Sequence, residues 1–137
     1  MSLSIRPYQP ADEAQVIALW HRCNLVVPWN DPQRDIALKM QVQPHMFLVG
    51  VLDTHVIATV MAGYEGHRGW LNYLAVSPEY QGHGVGRRMV EEATALLQAA
   101  GCPKINLQIR TSNTDVIAFY KRLGFTIDDV VSMGKRL

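Results

Sequence analysis

Residues Gln81-Gly82-His83-Gly84-Val85-Gly86-Arg87-Arg88 are the stretch of this chain best suited to chemistry. They follow an apolar run, Leu74-Ala75-Val76, and open directly into a segment with helical apolar spacing. A strand, a glycine-rich turn and a helix in that order aim several backbone N–H groups and a helix dipole at one point. Such a point attracts phosphate, each helix-terminus interaction contributing about 0.3–1 kcal/mol and up to about 2 when partly buried. Two nucleotide loops can be tested against the letters. The dinucleotide pattern G-x-G-x-x-G fits at Gly82 and Gly84, but its third glycine position holds Arg87, and no acidic residue closes the next strand near Arg110. A P-loop needs Gly-Lys-Ser/Thr, which occurs nowhere in the chain. What remains is Gln81-x-x-Gly84-x-Gly86. Glycine at 84 and 86 removes the Cβ atoms that would keep a diphosphate from the amides, and Arg87 and Arg88 add positive charge beside it.

A second pattern lies downstream: Asn113-Thr114-Asp115-Val116-Ile117-Ala118-Phe119-Tyr120-Lys121-Arg122-Leu123-Gly124-Phe125. With both patterns in this order, the sequence resembles the GNAT superfamily of acetyl-coenzyme A-dependent N-acetyltransferases, over nearly its whole length. The segments Trp29-Asn30-Asp31-Pro32 and Gly63-Tyr64-Glu65-Gly66-His67-Arg68-Gly69 look, more closely, like the small bacterial YpeA-type group, a likeness that implies no particular acceptor. The resemblance implies one N-acetyltransferase domain over residues 1–137. Its α/β fold would be a six- to seven-stranded mixed sheet, antiparallel in its first half and with a parallel central pair, flanked by about four helices. The co-substrate would be acetyl-coenzyme A, held by Leu74, Ala75, Val76, Gln81, Gly82, His83, Gly84, Val85, Gly86, Arg87, Asn113 and Tyr120, and no metal is called for.

Acetyl transfer to an amine needs donors for the thioester oxygen, a deprotonated amine and a proton for the departing thiolate. The resemblance places a bulge in the strand through Leu74 and Val76, freeing an amide as oxyanion donor. It also offers Tyr120 as general acid, a phenol whose reference pKa of about 10 matches a thiolate of similar basicity. Asn113 would bond the cofactor or cap a helix. Many relatives carry a glutamate in the central strand, whereas Trp70-Leu71-Asn72-Tyr73-Leu74-Ala75-Val76 has none. The base therefore falls to His67 or Glu65, ahead of Glu79, or to water if the amine arrives neutral. The acceptor would be a primary amine, either a small molecule or a peptide N-terminus, met by Trp29, Asn30, Asp31, Arg68 and Tyr73, with Trp20 and Asn24 nearby. Arg68 suits an acceptor carboxylate. A non-catalytic coenzyme A-binding module is the alternative outside the enzyme class.

Periodicity supplies the elements that would position these groups. Strands are expected over 3–8, 46–52, 56–62, 70–76 and 104–110, with Asp53-Thr54-His55 closing a hairpin. Helices are expected over 11–23, in a short segment begun by Asp31-Pro32, over 86–100 up to Gly101, and from Asn113 or Thr114 to Leu123. The strand–helix–strand unit from 70 to 110 reads as a right-handed parallel crossover. Residues 125–127 and 130–135 read as a closing hairpin-like pair. By resemblance the central strands 70–76 and 104–110 splay apart, admitting the pantetheine arm.

Composition narrows the classes. A chain of 137 residues with net charge +1 and no basic tract lacks the footprint of a nucleic-acid binder. No apolar run approaches the roughly 20 residues needed to span a bilayer, and no secretory leader is legible. The five histidines show no ligand spacing with cysteine, and the two cysteines, Cys23 and Cys102, read as reduced thiols. The expectation is a cytoplasmic protein without nucleic-acid or membrane partners, as a monomer or homodimer.

Overall fold

Alternating apolar residues in the first three-quarters of the chain build one sheet, and that sheet carries the glycine turn. The computed structural model describes residues 2–137 and divides into two compact units, one running to Leu107 and the other comprising Gln108–Leu137.

In the first unit, strands β1 (Ser4–Pro7), β2 (Phe47–Leu52), β3 (His55–Tyr64), β4 (Gly69–Val76) and β5 (Ile105–Asn106) lie in the order β1-β2-β3-β4-β5. The first four are antiparallel neighbours, while β5 runs parallel to β4. A parallel pair needs a crossover, and helix α3 (Val85–Ala99) provides it. Helices α1 (Glu13–Arg22) and α2 (Pro32–Lys39) come earlier in the chain. Asp31 caps α2 by accepting from the Arg34 amide at 3.2 Å, with Pro32 in the first turn, as the Asp-Pro signal suggests.

Period-two alternation decides which side of the sheet each helix covers. Phe47 and Val49 of β2 join Val16, Leu19 and Trp20 of α1 and Ile36 of α2 in one core cluster. Gly50 faces the other way, where a Cβ would meet Met89 of α3 at 3.1 Å. Trp20, Phe47, Leu19 and Met89 are fully buried, each contributing about 1.5–3 kcal/mol relative to exposure. Tyr8 stacks on Phe47 with ring centroids 4.5 Å apart. Arg6 grips Asp12 with two parallel bonds of 2.8 and 2.9 Å, tying β1 to the start of α1.

In the second unit, helix α4 (Thr114–Arg122) begins at Asn113, whose side chain accepts from the Val116 amide at 3.4 Å. The amides of Leu123 and Phe125 return to the Tyr120 carbonyl and close the helix.

The structure departs from the strand expectations in two places. β5 pairs over two residues only, because the pairing with β4 ends at Trp70 and Asn106. Residues 125–135 form no strand pair, so the sheet has five strands among the described residues. Val131 and Met133 stand 85% and 90% exposed there; with no apolar face buried, the alternation has nothing to pack against.

Candidate active site

The glycine turn is braced from behind and open in front. The Ser77 amide donates to the Ile57 carbonyl at 2.8 Å, and the Ser77 hydroxyl donates to Glu79 at 2.7 Å. A single 3-10 turn at Pro78–Tyr80 follows. Gln81 folds back, its side-chain amide donating to the Val76 carbonyl at 3.0 Å, so this residue anchors the turn through its side chain. The His83 ring lies over the same turn, Nδ1 being 3.1 Å from the Gln81 carbonyl. Gly82 has φ +82° and Gly84 φ +78°, the left-handed region. Gly84 is the cap of α3 and no side chain caps the helix there, leaving its first amides to whatever occupies the space ahead. A Cβ on Gly84 would meet nothing within 4 Å, so that space is empty of protein. Arg87 stands exposed in an i,i+4 pair with Glu91 at 3.0 Å, and Arg88 reaches the Leu3 carbonyl at 3.4 Å. Both guanidiniums are thus partly spoken for within the protein.

The strand leading to the turn is bulged. Thr59 faces Ala75 and Met61 faces Asn72, so Tyr73 and Leu74 together oppose Val60. Tyr73 takes φ +53° at this point. Its ring stacks on Trp20 at 3.8 Å, its carbonyl accepts from the Thr59 hydroxyl at 2.8 Å, and its phenol donates to Asp35 at 2.5 Å. Burial, then the bond to Asp35, pushes that phenol far above the ordinary range, keeping it a neutral donor. Past Trp70, the edge of β4 away from β3 has no strand partner among the described residues. The Val76 carbonyl already accepts from both Gln81 and the Cys23 thiol. The bulge thus leaves Tyr73 and Leu74 outside the one-to-one register with β3.

A cavity of about 220 Å³ lies at the ends of β3 and β4 beside the close of α2, with Lys39, Gln43, Met61, Glu65, Trp70 and Asn72 in its wall. Gln43 holds this region by two bonds to the Tyr64 backbone, at 3.0 and 2.8 Å. Lys39 donates to the Ala62 carbonyl at 2.5 Å, and burial lowers its ammonium pKa. Of the residues expected to meet the acceptor or serve as base, Glu65 alone lines this cavity. Its carboxylate accepts from the His67 and Arg68 amides, which hold its pKa below the usual range and make it a weak base. His67 is exposed on the same loop. Arg68 turns back to the His67 carbonyl at 2.9 Å. Trp29 is 51% exposed, Asn30 bonds the Val27 carbonyl, and Asp31 serves as the α2 cap; none of the three lines the cavity.

In the second unit, Tyr120 is buried at 7% exposure, edge-on to Phe119 at 5.0 Å and to Phe125 at 5.3 Å. Burial raises its pKa well above the ordinary phenol value, so the hydroxyl keeps its proton throughout the neutral range.

Sequence reasoning overlooked Lys39, Gln43, Asp35 and Thr59. Thr59 alone had a signal, a lone hydroxyl in the apolar run Val56–Ala62. The others are ordinary helix or loop polar residues that the sheet gathers from a distance. Among the described residues no group of three or more His, Cys, Asp or Glu is placed to hold a metal, and no helix is long and apolar enough to cross a membrane.

Among the solved structures that share this fold are the following three. The ribosomal-protein-S18-alanine N-acetyltransferase from Escherichia coli superposes with a TM-score of 0.76 at 24% identity, covering 91% of this chain and 78% of that one. The PaiA N-acetyltransferase from Thermoplasma acidophilum, in complex with coenzyme A, gives 0.79 at 19% identity over 96% and 94%. AAC(6')-Iy, in complex with the bisubstrate analogue CoA-S-monomethyl-acetylneamine, gives 0.80 at 18% identity over 100% of both chains. The family described as "Acetyltransferase (GNAT) family" matches residues 14–125. That match spans the bulged strand, the open glycine turn and the tyrosine helix: the chain belongs to the acetyltransferase (GNAT) family, as an acyltransferase with acetyl-coenzyme A as co-substrate.

Proposed function

We propose that the protein moves the acetyl group of acetyl-coenzyme A to a primary amine by direct attack in a ternary complex, and that the acceptor is a small amine or amino-acid-like molecule. The amine nitrogen attacks the thioester carbonyl, the C–S bond breaks, the thiolate takes one proton and the new amide nitrogen releases one. In this reading the amides following Tyr80, through Gly86, hold the diphosphate, and the Leu74 amide donates to the thioester oxygen. Tyr120, by its place in the downstream pattern, supplies the proton to the thiolate; Asn113 contributes to the cofactor contact or caps α4. Proton removal falls to His67 or to solvent, with Glu65 shaping the loop that carries the histidine. The likeness to the YpeA-type group belongs to this reading and names no acceptor.

The observation that supports the small-acceptor reading is the open cavity of about 220 Å³ at the head of β4, whose volume admits only a small group. A peptide N-terminus is the second reading. It is favoured by the exposed apolar rim of Trp70 and Val42 at that cavity, and by a structural neighbour, the NatC complex bound to Gag peptide and CoA, at TM-score 0.80 and 22% identity.

The deciding experiment is thiol release from acetyl-coenzyme A across a panel of small amines, free amino acids, polyamines and N-terminal peptides. Turnover confined to small acceptors supports the first reading, and turnover confined to peptides replaces it with the second. Saturable coenzyme binding with no transfer to any amine overturns both.

A further inference from the structure

Tyr73 occupies the left-handed region in mid-strand, φ +53°, although it carries a side chain. A residue so placed stays there only when its surroundings fix it, and strained backbone of this kind clusters at working sites. A buried hydroxyl on the neighbouring strand fixes it. Thr59 is fully buried on β3, one step from where the β3–β4 register slips. Its oxygen accepts from the Trp20 indole N–H at 2.9 Å, and it lies 2.8 Å from the Tyr73 carbonyl. An indole N–H can only donate and a carbonyl can only accept. The single hydroxyl proton of Thr59 must therefore point at the Tyr73 carbonyl.

That carbonyl shares one planar, trans peptide unit with the Leu74 N–H, and the two point in opposite directions. Fixing the first fixes the second. With the carbonyl drawn toward the Thr59 hydroxyl on the Trp20 side of the sheet, the Leu74 N–H points away from that hydroxyl, in the part of β4 that has no β5 partner after Trp70.

We propose that Thr59, oriented by Trp20, is a positioning residue for acetyl transfer: its hydroxyl locks the Tyr73–Leu74 peptide so that the Leu74 N–H meets the thioester oxygen as charge develops on it. This inference rests on the proposed role of the Leu74 amide. It assigns to the core of the sheet a part in catalysis that reaches no substrate directly.

The test compares Thr59→Val, Thr59→Ala and Thr59→Ser in steady-state acetyl transfer, with the thioester carbonyl stretch of bound ¹³C-labelled acetyl-coenzyme A as spectroscopic readout. Removing one preorganised oxyanion donor costs about a hundredfold to a thousandfold in kcat. Misaiming it is expected to cost about tenfold to a hundredfold, with KM for acetyl-coenzyme A within about twofold. The carbonyl stretch should move toward its free-solution frequency in the variants lacking the hydroxyl and return in Thr59→Ser together with kcat. Thr59→Ala serves where Thr59→Val does not fold, since its smaller side chain cannot crowd Trp20. Wild-type kcat and an unmoved carbonyl stretch in either folded variant overturn the proposal, as does a loss confined to KM. A wild-type protein that transfers acetyl to no amine defeats instead the functional reading beneath it.

Discussion

Gly84 and Gly101 offer a matched pair for testing the anion turn. They flank the two ends of α3, Gly84 with φ +78° and Gly101 with φ +87°, and a Cβ at either would meet nothing within 4 Å. Alanine in the left-handed region costs about 1–2 kcal/mol. For a 137-residue protein the unfolding entropy is about 0.3 kcal/mol per kelvin, so each variant should lose about 4–7 °C in Tm. Backbone strain alone therefore gives the two variants the same apparent stability. Coenzyme A separates them. At a ligand concentration of about 100 times Kd, binding adds about 2.7 kcal/mol, or roughly 9 °C. A Cβ at 84 intrudes on the space the diphosphate is expected to fill, and a tenfold loss of affinity removes about 1.4 kcal/mol of that gain, close to 5 °C. Thermal scans with and without coenzyme A, backed by calorimetric titration, read both effects. Gly101→Ala should retain the full ligand shift and Gly84→Ala should lose about half of it. Equal ligand shifts in the two variants would refute the reasoning, because strain would then be the sole consequence at Gly84.

Two further outcomes follow from the charged and phenolic groups. Tyr120→Phe is expected to lower kcat by about a hundredfold to ten-thousandfold with coenzyme A affinity unchanged, measured by turnover and titration. Since burial raises the Tyr120 pKa, its loss of a proton should not limit turnover below about pH 10; a basic limb lower than that in wild type but absent from Tyr120→Phe would contradict the raised value while still marking Tyr120 as the acid. Asp12 is held below the usual carboxylate range by its bond to Arg6, helped by the Gln9 amide. Its contribution is therefore present above the unfolded carboxyl value of about 3.9 and is lost as pH falls through the depressed folded value. Asp12→Asn should cost about 1.5–3 kcal/mol at neutral pH and should flatten the acid arm of the stability curve measured by urea unfolding; an acid arm identical to wild type would count against the pair.

The parts of the molecule legible in the sequence were those written in local chemistry. Asp31-Pro32 announced α2, Gly101 its stop for α3, and the Gly84-x-Gly86 turn its own backbone shape, because each signal acts within a few residues. The bulge came from family resemblance, since no residue type in Trp70–Val76 demands a positive φ at a tyrosine. The cavity was not legible. Its wall joins Lys39, Gln43, Glu65, Trp70 and Asn72, which only the pairing of β3 with β4 and the docking of α2 bring together. The expected C-terminal strand pair failed for a related reason. Alternation at Val130 to Lys135 predicts a strand only where one face is covered, and these apolar side chains remain exposed. Trp29, an aromatic in a polar turn, suggested an acceptor wall but does not line the cavity found at the head of β4.

Backbone amide resonances of residues 82–86, followed by NMR during parallel titrations with coenzyme A and with pantetheine, test the central claim most directly. The two ligands share the thiol arm and differ in the diphosphate and nucleotide. Saturable shifts at Gly82, Gly84 and Gly86 with coenzyme A, and none there with pantetheine, are required if the turn grips the diphosphate. Coenzyme A binding that leaves those amides unmoved would contradict the account.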